Sequence, residues 1–305
     1  MSDAARAPLP RWLGVALLML IASVFGANHV AARLAFDHGA NVTTAVAFRS
    51  TGTALFVLAL LLANRIPFAL PALTRWRALG IGVILAVQSY CLYSAVALIP
   101  VALALLAFNT FPMMLALISW AAGVERPGRR TLIAMPVALA GLALALDVAG
   151  VAGGGAADFG TRWAGIGRGV GFALAAAISF ATVMFLTTQW LAEVDGRMRS
   201  FLMMCAICAV VLAGGALAND FSLPRDGTGW IGLCLLTLFY GTAITALFVL
   251  LPRLGAVNNA AVLNFEPIAA LFIAWLVLGQ TIAPLQIAGG LVVIGAIAVL
   301  AGGKR

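Results

Sequence analysis

Asn109-Thr110-Phe111-Pro112 and Asn264-Phe265-Glu266-Pro267 stand 155 residues apart, and the same offset relates much of the remaining chain. Trp120 returns as Trp275, Phe25 as Phe180, and Ala63-Asn64 as Ala218-Asn219, all without a gap. A register shared by Asn, Pro and Trp in so apolar a sequence marks an internal repeat rather than composition. Each copy holds five apolar segments. An odd number of crossings turns the second copy upside down in the membrane. Inverted repeats are the architecture of secondary transporters, whose site lies at the midplane where the halves meet.

Composition sets the solvent. Of 305 residues, 64% are hydrophobic and 9% charged, whereas a soluble domain carries roughly 25% charged residues. That much apolar surface calls for lipid. The net charge of +8 resides in short loops and forms no continuous basic face, so a nucleic-acid partner is not expected. Cys91, Cys205, Cys208 and Cys234 all fall in apolar segments and read as packing residues. Cys205 and Cys208 have no histidine near in sequence, so neither a metal site nor a disulfide framework is expected. The alternating Gly165, Gly167, Gly169 and Gly171 follow no strand and read as helix packing rather than dinucleotide binding. There is no P-loop for ATP and no cluster of His, Asp, Glu or Ser at helical spacing. An enzyme and a cofactor are therefore not expected.

Ten segments are long enough to cross ~30 Å of hydrocarbon: 12–32, 42–63, 77–98, 101–122, 130–147, 168–191, 199–218, 229–251, 256–278 and 282–301. The first is too long for a signal-peptide core and is expected to be retained. Spans three and four are parted only by Ile99-Pro100, and spans eight and nine only by residues 252–255. The expected fold is an all-α polytopic membrane protein of ten transmembrane helices in two inverted five-helix repeats. The repeats would occupy residues 1–149 and 161–305, joined by a glycine-rich linker at 150–160. With the N-terminus inside, 13 of the 18 Lys and Arg fall on the inner side and 4 on the outer, Arg49 lying within span two. This bias places both termini in the cytoplasm.

The repeats resemble the ten-helix EamA-type exporters of the drug/metabolite transporter superfamily. Phe25-Gly26-Ala27-Asn28 resembles that family's first-helix pattern and Phe48-Arg49 its second-helix arginine. Pro112 and Pro267 match its mid-helix prolines, Glu266-Pro267 the Glu-Pro of helix nine, and Glu125-Arg126 the glutamate that closes helix four. Gln286 and Gly289 resemble the Gln-x-x-Gly that opens helix ten. Gln280 departs from the usual glutamate, and Pro136 stands where small residues are usual. Within the superfamily the chain looks most like bacterial aromatic amino-acid exporters of the YddG type. The resemblance implies a multi-pass protein of the bacterial inner membrane. It also implies export of small metabolites, expected to be amino acids with aromatic or large apolar side chains, by alternating access through a cavity between the repeats. Drug cations or other metabolites are the alternative cargo; a membrane receptor or an intramembrane enzyme is the alternative class.

Polar groups in hydrocarbon need a partner, a cavity or a function. Glu266 is the one acid deep in a span, about ten residues or roughly 15 Å from the inner end, and its repeat mate is Phe111. It either faces the cavity, recognising an ammonium or carrying a coupling proton, or pairs with another helix. Arg49 lies at similar depth, so the two either pair with each other or grip the carboxylate and ammonium of a zwitterion. Asn109 and Asn264 precede Pro112 and Pro267, which leave carbonyls without their usual partners. The broken helices either expose backbone to substrate or form kinks that the Asn side chains satisfy. Asn28 and His29 occupy span one; His29 is expected neutral and hydrogen-bonded, because Arg33 four residues on would repel its cation. Gln88, Tyr90 and Tyr93 in span three and Tyr240 in span eight either line the cavity or pack at helix and membrane interfaces. Trp163 reads as an interface anchor.

Overall fold

The computed structural model describes residues 11–66, 68–124, 159–254, 265–280 and 283–301, with isolated positions between 133 and 144. The described residues form helices and turns. In chain order the helices are α1 (Arg11–Asp37), α2 (Val42–Ala63), α3 (Ala72–Leu98), α4 (Val101–Phe108) and α5 (Phe111–Ala121). They continue with α6 (Phe159–Trp190), α7 (Gly196–Ala218), α8 (Gly227–Leu254), α9 (Glu266–Leu278) and α10 (Pro284–Ala301).

Seven stretches are long and apolar enough to cross a membrane: 16–37, 42–63, 72–98, 101–121, 166–190, 196–218 and 227–244. Glu266–Leu278 and Ile287–Ala296 are shorter apolar helices. The protein is therefore a polytopic helical membrane protein, while the expected number of ten crossings goes beyond what these lengths show. The expected fifth span, 130–147, and the centre of the linker at 150–158 fall largely outside the described residues. Residues 159 and 160, assigned to the linker, already belong to α6, and Pro252 and Arg253, assigned to a turn, belong to α8. Several helices run past their apolar stretches because the interface hydrates polar side chains while the backbone still gains from its own hydrogen bonds.

Local chemistry fixes the ends. Asn41 caps α2 by accepting from the Thr44 N–H at 2.9 Å, and Asp195 caps α7 through the Arg197 N–H at 2.8 Å. Pro100 starts α4 directly after α3, as expected. The side-chain carbonyl of Gln280 accepts from the Val101 N–H at 3.2 Å, so the residue that departs from the family pattern caps α4. Arg33 donates to the carbonyls of Val96 (3.0 Å) and Ala97 (3.1 Å), where the C-terminal dipole of α3 favours a cation. It also pairs with Asp37 at 2.9 Å.

The helices pack in pairs that survive exchange of the repeats. An offset of 155 residues maps α1 onto α6, α2 onto α7, α3 onto α8, and the α4–α5 pair onto α9. The extensive α1–α8 interface has its counterpart in α3–α6, α1–α9 in α6 with α4 and α5, and α2–α8 in α3–α7. Contacts α2–α7 and α4–α9 map onto themselves. The start of α2 meets the end of α7, since Asn41 donates to the Asp220 carboxylate at 2.9 Å and Thr43 at 2.6 Å. The end of α2 meets the start of α7 in a cluster of Val57, Leu61 and Met198. These two repeat-related helices thus run antiparallel.

Small residues set the spacing, as expected where lipid supplies no hydrophobic drive between helices. A Cβ on Gly82 of α3 would lie 2.6 Å from the Ala206 Cβ of α7. At Gly26 of α1 a Cβ would lie 3.0 Å from the Ala270 nitrogen and 3.1 Å from the Glu266 carbonyl, so α1 and α9 touch backbone to backbone. That approach positions the candidate site.

Candidate functional site

Gly26 brings α9 against α1 one turn before His29. The Nε2 of His29 lies 3.3 Å from a carboxylate oxygen of Glu266. The side chains are 8% and 18% exposed, so this acid and base meet in the protein interior. The sequence offered Arg49 as a partner for Glu266; in the structure the ion-pair partner is His29. The two stand on helices joined by the Gly26 contact, whereas Arg49 projects from α2. His29, expected as a neutral hydrogen-bonded group, thus faces the Glu266 carboxylate. The Nδ1 of His29 has no hydrogen-bond partner among the described residues.

Arg49 is 3% exposed. Its Nη2 donates to the Ser89 hydroxyl of α3 at 2.8 Å. The guanidinium carbon lies 4.0 Å from the ring centroid of Tyr240 and 5.2 Å from that of Tyr93. The planar cation is held by two electron-rich ring faces, an interaction that strengthens when desolvated. Its Nε lacks a hydrogen-bond partner among the described residues, and so does the Thr53 hydroxyl one turn further along the same helix face.

Tyr93 joins the two charges. Its ring contacts Arg49 and also lies 5.6 Å from the His29 ring. Its hydroxyl accepts from the Asn28 amide nitrogen at 3.1 Å and donates to the amide oxygen at 3.2 Å, both groups fully interior. Gln88 is buried and accepts from Ser89 at 3.4 Å. Phe25 stacks edge-on against Tyr240 at 6.1 Å. The site thus gathers Asn28 and His29 from α1, Arg49 from α2, Ser89 and Tyr93 from α3, Tyr240 from α8 and Glu266 from α9.

Other expected residues stand apart. Tyr90 is 42% exposed and shares a face of α3 with Val87 and Val83, one and two turns before it. Three residues of helix set it about 60° around the axis from Tyr93, enough to move it from the packed face to the edge of an apolar outer stripe. Asn109 is buried, and its amide donates to the Leu105 carbonyl of its own α4 at 2.8 Å, while Thr110 donates to Ala107 at 2.7 Å. The same two carbonyls accept from the backbone N–H groups of Asn109 (2.8 Å) and Thr110 (3.2 Å), so the side chains reinforce the end of α4 before Pro112. Pro267 occupies the first turn of α9 and its ring lines an apolar groove with Leu106 and Ile294. Asn264 and the side chains of Trp163 and Gln286 lie outside the described residues. Ser89 and Thr53 were missed in sequence. A wheel projection carries the signal, since Ser89 shares a face with Tyr93, and Thr53 with Arg49.

On the repeat-related side Glu266 gives way to Phe111, which packs with Phe180, the mate of Phe25. Phe111 and Phe180 meet edge-on at 4.9 Å, and Phe108 joins them at 5.6 and 5.4 Å.

The EamA-like transporter family matches the chain twice, over residues 12–146 and 167–302. The chain belongs to that family of small-solute membrane transporters. A solved structure, named only as a crystal structure of a protein, superposes with a TM-score of 0.62 at 18% identity. The match covers 95% of this chain and 97% of the other, and it shows a shared fold. No curated protein matches the sequence significantly.

Proposed function

We propose, with membership of the EamA-like transporter family as the premise, that this protein exports zwitterionic amino acids with aromatic or large apolar side chains by alternating access. The observation that carries the proposal is the separation of the two interior charges. Glu266 is matched by a titratable histidine rather than by a permanent cation. Arg49 is held by rings and a hydroxyl rather than by a carboxylate. Each keeps capacity for an external ion. A substrate ammonium on Glu266 and a carboxylate on Arg49 use both, and the guanidinium fork fits a carboxylate. The two charges flank Tyr93, as the two ends of one small molecule require.

The antiparallel course of α2 and α7 and the exchange-symmetric packing support inverted repeats. Halves of 1–149 and 161–305 would rock about the site, with the broken segments at Pro112 and Pro267 as hinges. The loop charge bias supports an inner membrane location with both termini cytoplasmic. The bilayer lipid is the surrounding partner. Protons are the candidate coupling ion, because a proton and an ammonium compete for the Glu266 carboxylate.

The carboxylate of Glu266, matched only by a histidine, also favours a second reading, export of lipophilic amines. Reconstitution in liposomes, with labelled amino acids and amines screened with and without a pH gradient, separates these. Saturable flux of aromatic amino acids is expected. No flux for any amino acid refutes the cargo, and flux confined to amines selects the second reading. Flux indifferent to the pH gradient and to Glu266→Gln removes proton coupling.

A further inference from the structure

We infer that the ring cluster of Phe108, Phe111 and Phe180 is the subsite for the substrate's apolar side chain, fixing a single orientation of the substrate across the repeat axis. The inference rests on the reading of the chain as an amino-acid transporter and adds the place where side chains are selected.

An offset of 155 residues relates the two halves of the chain. It carries Asn28 onto Val183, His29 onto Met184, Arg49 onto Met204, Ser89 onto Ile244 and Glu266 onto Phe111. Every one of these polar groups meets an apolar residue. The helices that bear them pack by the same exchange, α1 with α9 as α6 with α4 and α5. The two sets therefore occupy equivalent places on either side of one axis, and α4 and α9 touch across it. One place carries acid, base, guanidinium and hydroxyls. The other carries Val183, Met184, Met204 and Ile244, with Phe111 in the place of Glu266 packed against Phe108 and against Phe180, the mate of Phe25.

Burial separates subsite from core. Phe108 is buried and forms the floor, whereas Phe111 and Phe180 are half-buried and keep ring surface free. They stand at 82° to each other, the edge-to-face arrangement into which a further ring or branched chain packs. Small-residue helices α4 and α6 form the wall behind them, with Ala104, Ala107, Ala173, Ala176 and Ala177 all buried.

A symmetric pair of polar walls would bind a zwitterion equally well in two opposed orientations. Replacement of one polar wall by apolar residues, with a ring in the place of the carboxylate, removes the second orientation. It also supplies apolar surface on the side away from the head-group charges. The matching ligand has a zwitterionic head at one end and an aromatic or large aliphatic group at the other.

The test is competition for labelled phenylalanine uptake into proteoliposomes by alanine, valine, leucine, phenylalanine and tryptophan, which share one head group. In the wild type, inhibition is expected to strengthen from alanine to the aromatic residues. Phe111→Leu and Phe180→Leu are each expected to lower the preference for phenylalanine over alanine about tenfold, the loss of one ring contact and its buried area. Phe68→Leu, which removes a ring paired with Phe201 in a different region, should leave that ratio unchanged. A wild-type series independent of side-chain size overturns the subsite even if a leucine variant does not fold. So does an unchanged ratio in both folded variants. Absence of competition by every amino acid removes the amino-acid reading itself.

Discussion

Arg49→Lys separates the role of the guanidinium from its charge. Lysine keeps the cation but loses the plane that rests 4.0 Å above Tyr240 and 5.2 Å from Tyr93. A desolvated cation–π contact is worth about 2 kcal/mol, and an ammonium reaches one ring at a time where the guanidinium reaches two. The second parallel hydrogen bond to a carboxylate is lost as well, about 1.5 kcal/mol for a charged group. Part of the first loss falls on the empty protein, which leaves about 2 kcal/mol for substrate, or roughly a thirtyfold rise in Kd. The prediction is specific to the carboxylate. Phenylalanine should bind about thirtyfold more weakly, whereas phenethylamine, which keeps the ammonium and the ring, should change less than about threefold. Equilibrium binding of both labelled compounds to purified protein gives the two ratios. Equal weakening of both would refute the assignment of the carboxylate to Arg49, and no weakening of either would place Arg49 outside the site.

Further consequences follow from the packing and the loops. Tyr93→Phe and Asn28→Val each break the interior hydrogen bond between α1 and α3 and should destabilise the protein by about 1 kcal/mol. In a double-mutant cycle by unfolding in detergent the two losses should be sub-additive; simple additivity would deny the contact. Gly26→Val drives a branched side chain into the Ala270 nitrogen and the Glu266 carbonyl and should abolish flux. Gly171→Ala, whose added Cβ meets nothing within 4 Å, should leave flux intact. The Asp226 carboxyl, outside the membrane spans, is held below the usual carboxylate range by the Gly229 N–H and by His38 at 2.7 Å. Because the folded value is the lower one, its contribution is present above about pH 4 and is lost as pH falls through the folded value. Thermal unfolding of wild type and Asp226→Asn should therefore differ at neutral pH and converge in acid. A gap that widens on acidification would contradict that sign.

Seven of the ten expected spans, the Ile99-Pro100 turn and the break before Pro112 were legible because length, proline and capping chemistry act locally. The identity of the partner of Glu266 was not. Depth along a helix follows from residue count, but the facing direction does not, and His29 and Arg49 both lie within reach of Glu266 in depth. Faces are ordinarily read from hydrophobic periodicity. In this chain both the lipid face and the packed face are apolar, so that signal is weak. Tyr90 and Tyr93 illustrate it: equal in sequence character, one is 42% and the other 1% exposed. Gly26 decided the matter, since only a glycine there lets α9 approach α1 closely enough for Glu266 to meet His29. The repeat offset, by contrast, was fully visible and pointed to the helix exchange that the packing obeys.

The central claim is a carrier whose interior charges bind a zwitterion and release it to the other side. Counterflow tests it most directly: liposomes preloaded with unlabelled phenylalanine are diluted into a trace of labelled phenylalanine. The account predicts transient accumulation of label by the wild type and none by the folded Glu266→Gln/Arg49→Met double variant. Absence of counterflow for every amino acid, or equal counterflow by the double variant, would contradict it.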